Sequence, residues 1–422
     1  MNLMPSREFT TARLTLTESM GRRPSRGLSL VELMVALAIG LLLLLGLVEI
    51  FGASRAAFSS AEGSARIQEN SRFALEFLRR DARMAGHMGC LNELGYQAMP
   101  DLMFNHNAVG VATALTSAEW AMRIDMPLEA YDYNGTAPAA TYVLSDVEAA
   151  DGAADWTPAL PASLLGVSTE AIKGSDVLVL RYLSAESVGL DGLGVNVDGA
   201  GGSATVDAMT TDPAWTALSP FVEAERMYAV TNCQRLSLFQ ATTGADVAGM
   251  FNSQNSGLNV SGWTGNEVYG SSGSRLYRYE VAVFYVALDV GGQPALFVRR
   301  FQTDGANRLS DRAALVDGVE SMQLVFGRDT SNAIAAGGRD DYADSYGAAS
   351  DVAAGAMDAT AWQNVISMRI GLLVRSPSQA SAVEGAAPIP LRVADTVITP
   401  PDDLRLRSTY ESMVAVRNRV RN

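Results

Sequence analysis

Histidine, lysine and cysteine are almost missing from this chain. Its 422 residues include two histidines, His87 and His106, one lysine, Lys173, and two cysteines, Cys90 and Cys233. His-based catalytic triads and His-rich metal sites therefore have few possible members. No Gly-Lys-Ser/Thr sequence exists to cradle a nucleotide phosphate, and Gly192-Leu193-Gly194 lacks the third glycine and following helix of a dinucleotide loop. Basic charge is scarce too: 32 Lys and Arg stand against 46 Asp and Glu, a formal net charge of −14. Residues 1–27 hold five arginines and two glutamates, so residues 28–422 carry −17. That acidity argues against nucleic-acid binding, which needs a basic face to meet phosphates. It keeps a translocated domain soluble. Proline is absent between Pro24 and Pro100, so a helix can run unbroken from Leu28 to about Met84. Such a helix has roughly 58 residues and a length of about 87 Å.

What is abundant lies at the start of that helix. From Leu28 to Phe51 there are 24 residues, and the only charges are Glu32 and Glu49. The segment would be roughly 36 Å long, enough to cross a hydrocarbon core of about 30 Å. Arg22, Arg23 and Arg26 flank it on the N-terminal side, which keeps residues 1–27 cytoplasmic and sends everything after Phe51 across the membrane. Leu41 to Leu45 suit lipid contact, whereas Ala36, Ala38, Gly40 and Gly46 allow close helix approach. A secretory signal has an apolar centre of about 7–15 residues and an A-x-A-like cut site. This stretch is longer, and Ser54-Arg55-Ala56 is a poor site. A soluble core helix would show a polar face between Leu33 and Val48, and there is none. A plain anchor leaves Glu32 unexplained, because an acid at a helix centre costs roughly 2.5–3.5 kcal/mol, less near the interface.

Arg26-Gly27-Leu28-Ser29-Leu30-Val31-Glu32-Leu33 resembles the cleavage motif of type IV pilins and pseudopilins, with Leu28 in place of the usual phenylalanine. The match to one subfamily goes further. Ser29 to Ile50, Glu69-Asn70-Ser71-Arg72-Phe73-Ala74-Leu75-Glu76-Phe77-Leu78 and Asp81-Ala82-Arg83-Met84-Ala85-Gly86-His87-Met88-Gly89-Cys90 are similar to the minor pilin family PilW. Weaker similarity continues at Gly174 to Tyr182, Val365 to Arg375 and Arg417-Asn418. The resemblance implies cleavage after Gly27 and N-methylation of Leu28 by an inner-membrane prepilin peptidase. The new amine on Leu28, here or on a neighbouring subunit, would then pair with Glu32. The alternative is a snorkelling carboxylate with no partner. Met20 to Gly27 would suffice as a leader, so translation is expected to begin at Met20.

For the rest of the chain the implied fold is α+β: a long N-terminal helix, its first half transmembrane, packed on a large antiparallel β-rich head. The expected organisation is a leader over 1–27, a helix over 28–86 spanning the membrane at 28–51, and a head over 87–422. Phe73, Phe77 and Met84 recur at helical spacing with Leu75, Leu78 and Ala82 beside them, and read as the stripe laid against the sheet. Gly52 and Gly63 read as points of bending. Strands are expected at Asp176–Leu183, Leu276–Leu288, Ala295–Phe301, Ser321–Phe326 and Val365–Val374, and a hairpin at Gly291-Gly292. The continuous apolar run Val177 to Leu180 suggests a strand covered on both faces. Residues 189–206, 252–274 and 331–360 read as surface loops without cores of their own.

In an oxidising compartment, Cys90 and Cys233 most simply form a disulfide. It would close a loop of about 140 residues, worth up to about 5 kcal/mol by chain-entropy reasoning. A reactive thiol, or a metal pair of His87 with Cys90, is the chemical alternative. Asp340, Asp341, Asp344 and Asp351 are candidate calcium ligands, although their spacing departs from an EF-hand loop. No cofactor is expected. The PilW resemblance implies a non-catalytic subunit that primes pilus assembly within a minor-pilin tip complex and supports twitching motility, adhesion and DNA uptake. Its implied partners are other minor pilins, the major pilin, the peptidase, a large tip adhesin and the inner-membrane assembly platform. It would sit in the bacterial inner membrane with its head in the periplasm, reaching the pilus tip after assembly. A minor pseudopilin of a type II secretion system is the alternative.

Overall fold

With no proline to interrupt it, the N-terminal segment forms one helix, α1, over Leu30–Met84 in the computed structural model. The structure describes residues 29–91, 103–106, 120–144, 148–197, 202–302, 309–330, 342–353, 359–380 and 388–416. By its internal contacts the chain divides into two units, Met1–Arg55 and Ala56–Asn422.

The first unit is the apolar part of α1. It is long and apolar enough to cross a membrane, and none of its most hydrophobic window is buried by the protein itself. Leucines from Leu41 to Leu45 are all exposed, as are Ile50 and Phe51. Side chains that protein does not cover must be covered by lipid or by other helices.

The second unit is built from β-strands, in chain order β1 (Met103–Asn105), β2 (Leu128–Tyr133), β3 (Thr141–Val143), β4 (Trp156–Thr157), β5 (Val177–Asn196), β6 (Ser203–Ala208), β7 (Met227–Thr231), β8 (Leu236–Gln240) and β9 (Met250–Ser253). Then come β10 (Arg275–Leu288), β11 (Pro294–Arg300), β12 (Ala313–Asp317), β13 (Val319–Arg328), β14 (Ser345–Gly347), β15 (Val365–Gln379), β16 (Leu391–Val393), β17 (Thr396–Thr399) and β18 (Arg405–Ala415). The largest sheet runs β1-β8-β7-β10-β5-β2-β4, with β11 and β12 continuing from β10 and β6 and β9 from β5. A second sheet runs β14-β13-β15-β18, and a third β16-β17-β3. Pairing is antiparallel except for β1 with β8 and β17 with β3. The α+β, pilin-like architecture expected from the sequence is the one observed.

Strands β5 and β10 explain why their sequences barely alternate. Leu178, Leu180, Ala282, Phe284 and Val286 face a core shared with α1, β13 and β15. Val177, Val179, Val281, Val283 and Tyr285 face a second core on the other side. A strand covered on both faces needs apolar residues at every position. The hairpin between β10 and β11 closes at Asp289–Gln293, where Gly292 takes φ 72°, a conformation that favours glycine.

Two readings of loops are corrected. Residues 189–196 extend β5 and pair antiparallel with β6, where a surface loop was expected over 189–206. The partly buried Leu193 and Val195, with Val188, Leu190, Val206, Phe239, Phe251, Trp263 and Tyr269, pack into a third core. Six glycines and other small residues over 189–206 lowered the local apolar density, but the partners that complete this core come from distant strands. Likewise, of the loop expected over 252–274, residues 252–253 end β9 and 254–274 is irregular in backbone yet buries Trp263, Glu267 and Tyr269.

The second half of α1 packs with a face that differs from the expected stripe. Gly63, Ile67, Ser71, Ala74, Leu78, Asp81 and Ala82 are buried, whereas Phe73 is 52% and Phe77 40% exposed. Leu78, Ala82 and the partly buried Leu75 and Met84 belong to the core as read. The small residues decide the orientation, because they let the helix lie closer to the sheets than two phenylalanines would. Gly63 is a close-approach position: a Cβ there would meet Ala380 Cβ at 3.0 Å and Ser376 Cβ at 3.3 Å. Gly52, by contrast, faces open space. Neither glycine interrupts the helix. Polar ties reinforce the packing, with Asn70 Nδ2 donating to the Asp317 carbonyl at 2.9 Å and Arg300 Nη2 to Asp81 Oδ2 at 3.2 Å.

Candidate functional site

The start of α1 is closed by a reciprocal cap. The Glu32 backbone N–H donates to Ser29 Oγ at 3.1 Å, and the Ser29 N–H donates to Glu32 Oε2 at 3.4 Å. This is a capping box, which satisfies two of the four N–H groups that every helix start leaves unpaired. Glu32 thus has a partner inside its own chain, and an acid in the first turn is also favoured by the helix dipole. Ser29 was not singled out from the sequence. The Ser-x-x-Glu spacing just before an apolar run is the signal that marks it. Gly27 and Leu28 lie outside the described residues, as does Met20.

Past the helix, Gly86 N–H donates to the Arg181 carbonyl at 3.0 Å, and Leu183 N–H to the His87 carbonyl at 2.9 Å. The chain is therefore already held when it reaches Cys90, which forms a disulfide with Cys233 over a separation of 143 residues. With that sulfur spent, the His87–Cys90 metal pair is ruled out. The His87 ring instead donates from Nδ1 to the Leu183 carbonyl at 2.9 Å.

The motif Gly174-Ser175-Asp176 sews the two main sheets together. Asp176 Oδ1 accepts the Tyr133 N–H of β2 at 3.0 Å, and Oδ2 accepts the Leu324 N–H of β13 at 2.9 Å. Ser175 Oγ accepts the Met322 N–H, and the Gly174 carbonyl accepts Ser321 Oγ. Asp132 receives the Ala349 and Ser350 N–H groups at the start of the short helix Ala349–Ala353. Burial pushes Asp132 up to about 6, and Asp176 is raised by burial and by Asp132 beside it. Arg181 is fully buried, donating to the Met126 and Trp120 carbonyls and to Glu129 Oε2 at 2.8 Å, with its guanidinium over the Trp120 ring. Arg181 Nε is buried without a hydrogen-bond partner, and a buried pair of this kind specifies geometry more than it adds stability.

His106 is the one buried histidine. Its Nδ1 donates to the Ser261 carbonyl at 3.1 Å, and its ring stacks on Trp263 with centroids 4.1 Å apart. Its Nε2 has no hydrogen-bond partner and faces Glu267 Oε1 at 4.0 Å. The Glu267 carboxylate is held by the Thr264 N–H and hydroxyl. Burial drives His106 down to about 4, against the pull of Glu267.

Of the candidate calcium ligands, Asp340 and Asp341 lie outside the described residues. Asp344 accepts the Thr330 N–H at 2.7 Å, 14 residues away in the chain, and Asp351 the Ala348 N–H at 3.0 Å in a local turn. Among the described residues no group of three or more His, Cys, Asp or Glu side chains is arranged to hold a metal.

Comparison with known proteins agrees with this anatomy. Residues 22–48 match the prokaryotic N-terminal methylation motif, and residues 283–418, from mid-β10 through β18, match PilW, the type IV pilus-assembly protein W. Neither the curated proteins nor the solved structures gave a match. An apolar N-terminal helix bearing that motif, with a β-rich head, fits a membrane-anchored protein of the type IV pilin class. Within that class, the two matches, which cover residues 22–48 and 283–418, support a type IV minor pilin of the PilW family.

Proposed function

We infer that the chain is a non-catalytic subunit that primes pilus assembly within a minor-pilin complex at the filament tip. The observation that carries this reading is the naked first half of α1. Its apolar side chains are left uncovered by the protein, and one carboxylate stands in its first turn. In the membrane, lipid covers that surface; in a filament, other pilin helices replace the lipid. Cleavage after Gly27 frees an amine on Leu28, which is then methylated, one turn from Glu32. Glu32 leaves its cap with Ser29, or shares it, to meet the amine of a neighbouring subunit.

The partners that this reading supplies are other minor pilins, the major pilin, prepilin peptidase, the inner-membrane assembly platform and a large tip adhesin. The head stands in the periplasm until assembly carries it outward, and twitching, adhesion and DNA uptake depend on the fibre. Mass spectrometry of the protein from cells tests processing directly, since the expected species begins at methylated Leu28. An intact leader in a strain with working peptidase refutes it. Loss of exoprotein secretion with normal twitching on deletion would instead assign the chain to a type II secretion pseudopilus.

A further inference from the structure

Sheet edges are where a β-protein can take up a foreign strand, and most edges of this head are too short to do so. Strands β1, β3, β4, β9, β12, β14 and β16, each at the end of a sheet or branch, have two to five residues. The stretch of β13 that β14 leaves open is closed by the chain itself, through Ser175 Oγ on the Met322 N–H and Asp176 Oδ2 on the Leu324 N–H. Strand β18 is the exception. It has 11 residues, holds neither proline nor lysine, and pairs with β15 without a register shift from Ala415 to Arg407. Val416 N–H reaches the Ile366 carbonyl and Leu406 N–H reaches Ser376 Oγ, so the N–H groups of even positions face β15 and those of odd positions face away. The Arg405 N–H is taken by Asp403 Oδ1. The N–H groups of Arg407, Thr409, Glu411, Met413 and Ala415 have no hydrogen-bond partner among the described residues. Along this edge Leu406, Tyr410 and Val414 belong to the core shared with α1, whereas Met413 is 56% exposed.

We propose that β18 takes up one extended strand from a different subunit of the pilus-assembly complex, continuing the β14-β13-β15-β18 sheet by one strand. Only an extended segment can meet N–H and carbonyl groups that repeat about every 6.8 Å along one line. A second copy does not fit. Two β18 edges paired over the whole open stretch are symmetric about Glu411 and set that carboxylate against its own image. The incoming strand therefore carries a neutral or basic residue opposite Glu411, and apolar residues at the alternate positions that extend the Leu406, Tyr410 and Val414 face. It holds no proline where its N–H must reach β18. Glu411 is the only charge from Ser408 to Ala415, so backbone bonds and apolar contact supply the affinity and charge only helps to set the register. The contact joins two different chains and does not repeat from copy to copy, which suits a minor subunit. It rests on the assembly reading and adds a head contact that the apolar half of α1 does not provide.

Amide hydrogen exchange at single-residue resolution reads the alternation directly. In full-length protein alone in detergent micelles, the amides of Thr409, Glu411 and Met413 are expected to exchange fast, and those of Ser408, Tyr410, Ser412 and Val414 slowly. In the complex purified from cells through a tag on another pilin-class subunit, the odd amides should slow by about tenfold or more while the even ones stay protected. Met413→Pro deletes an outward N–H and no bond to β15. It should cut the amount of chain recovered in that complex by about tenfold, with the melting temperature of the head little changed. Met413→Ala keeps the N–H and should be recovered nearly as well as the parent. Odd amides already protected in the isolated protein, a complex in which they still exchange fast, equal losses in the two variants, or an added strand that belongs to a second copy overturns the proposal. If Met413→Pro does not fold, the exchange pattern of the parent decides alone. An unprocessed parent that forms no complex sinks the assembly reading together with this contact; a processed parent whose complex leaves the β18 edge unprotected sinks the contact alone.

Discussion

Acidification from about pH 7 to about pH 5 should weaken the head through one side chain, and the size follows from where that side chain sits. His106 is fully buried, its Nδ1–H is committed to the Ser261 carbonyl, and a second proton can enter only at Nε2. Burial opposes that proton and lowers the pKa from 6.5 to about 4, Glu267 notwithstanding. The folded-state value lies below the unfolded one, so the unfolded chain takes the proton first. The stabilising contribution is complete above about pH 6.5 and is lost as pH falls toward 4, roughly 3 kcal/mol in all. About 2 kcal/mol of it goes between pH 7 and pH 5. The raw stability curve will hide this. Asp132, raised to about 6, and Asp176, also raised, act with the opposite sign and favour the fold as pH drops. The measurement is therefore a difference: denaturant unfolding of the parent and of His106→Asn at both pH values. The asparagine amide can still donate to Ser261 but cannot titrate. The parent should lose about 2 kcal/mol more than the variant over that interval. Parallel curves would show that His106 keeps an ordinary pKa, and the reasoning from burial would fail.

Other consequences are open to measurement. Glu32→Gln keeps the cap with Ser29 but removes the charge, whereas Ser29→Ala removes the cap and keeps the charge. If charge pairing drives assembly, piliation falls in the first variant far more than in the second; equal loss in both would point to helix capping alone. Replacing Cys90 and Cys233 together with serine should lower unfolding free energy by up to about 5 kcal/mol. The native fold should persist, because the Gly86 and Leu183 hydrogen bonds hold the same segment; altered far-ultraviolet circular dichroism at low temperature would contradict that. Gly63→Val places methyl groups where Ala380 and Ser376 already stand, and should cost about 1–3 kcal/mol in thermal unfolding. Arg181→Met strands the Glu129 carboxylate beneath Trp120 and should cost roughly 3–5 kcal/mol; an unchanged melting temperature would refute the argument from the buried pair.

Length, hydropathy and the position of one acid were enough to specify the membrane helix, because a hydrocarbon environment acts on each residue locally and leaves few solutions. Strands such as β10 and β15 were legible for a related reason, their apolar runs being bounded by turn residues. The face of α1 that meets the head was not. Phe73 and Phe77 are the largest apolar residues of the 63–84 stretch, yet Gly63, Ala74 and Ala82 are buried, because close packing rewards fit between two surfaces and only one is written in the helix. Nor could local composition show that β6 and the 252–274 segment enclose a core, since Phe239 and Val188, which complete it, arrive from elsewhere in the chain. Sequence decided what this protein does with a membrane. Tertiary structure decided which of its side chains remain outside for another molecule to touch, a matter of long-range contact that no local pattern encodes.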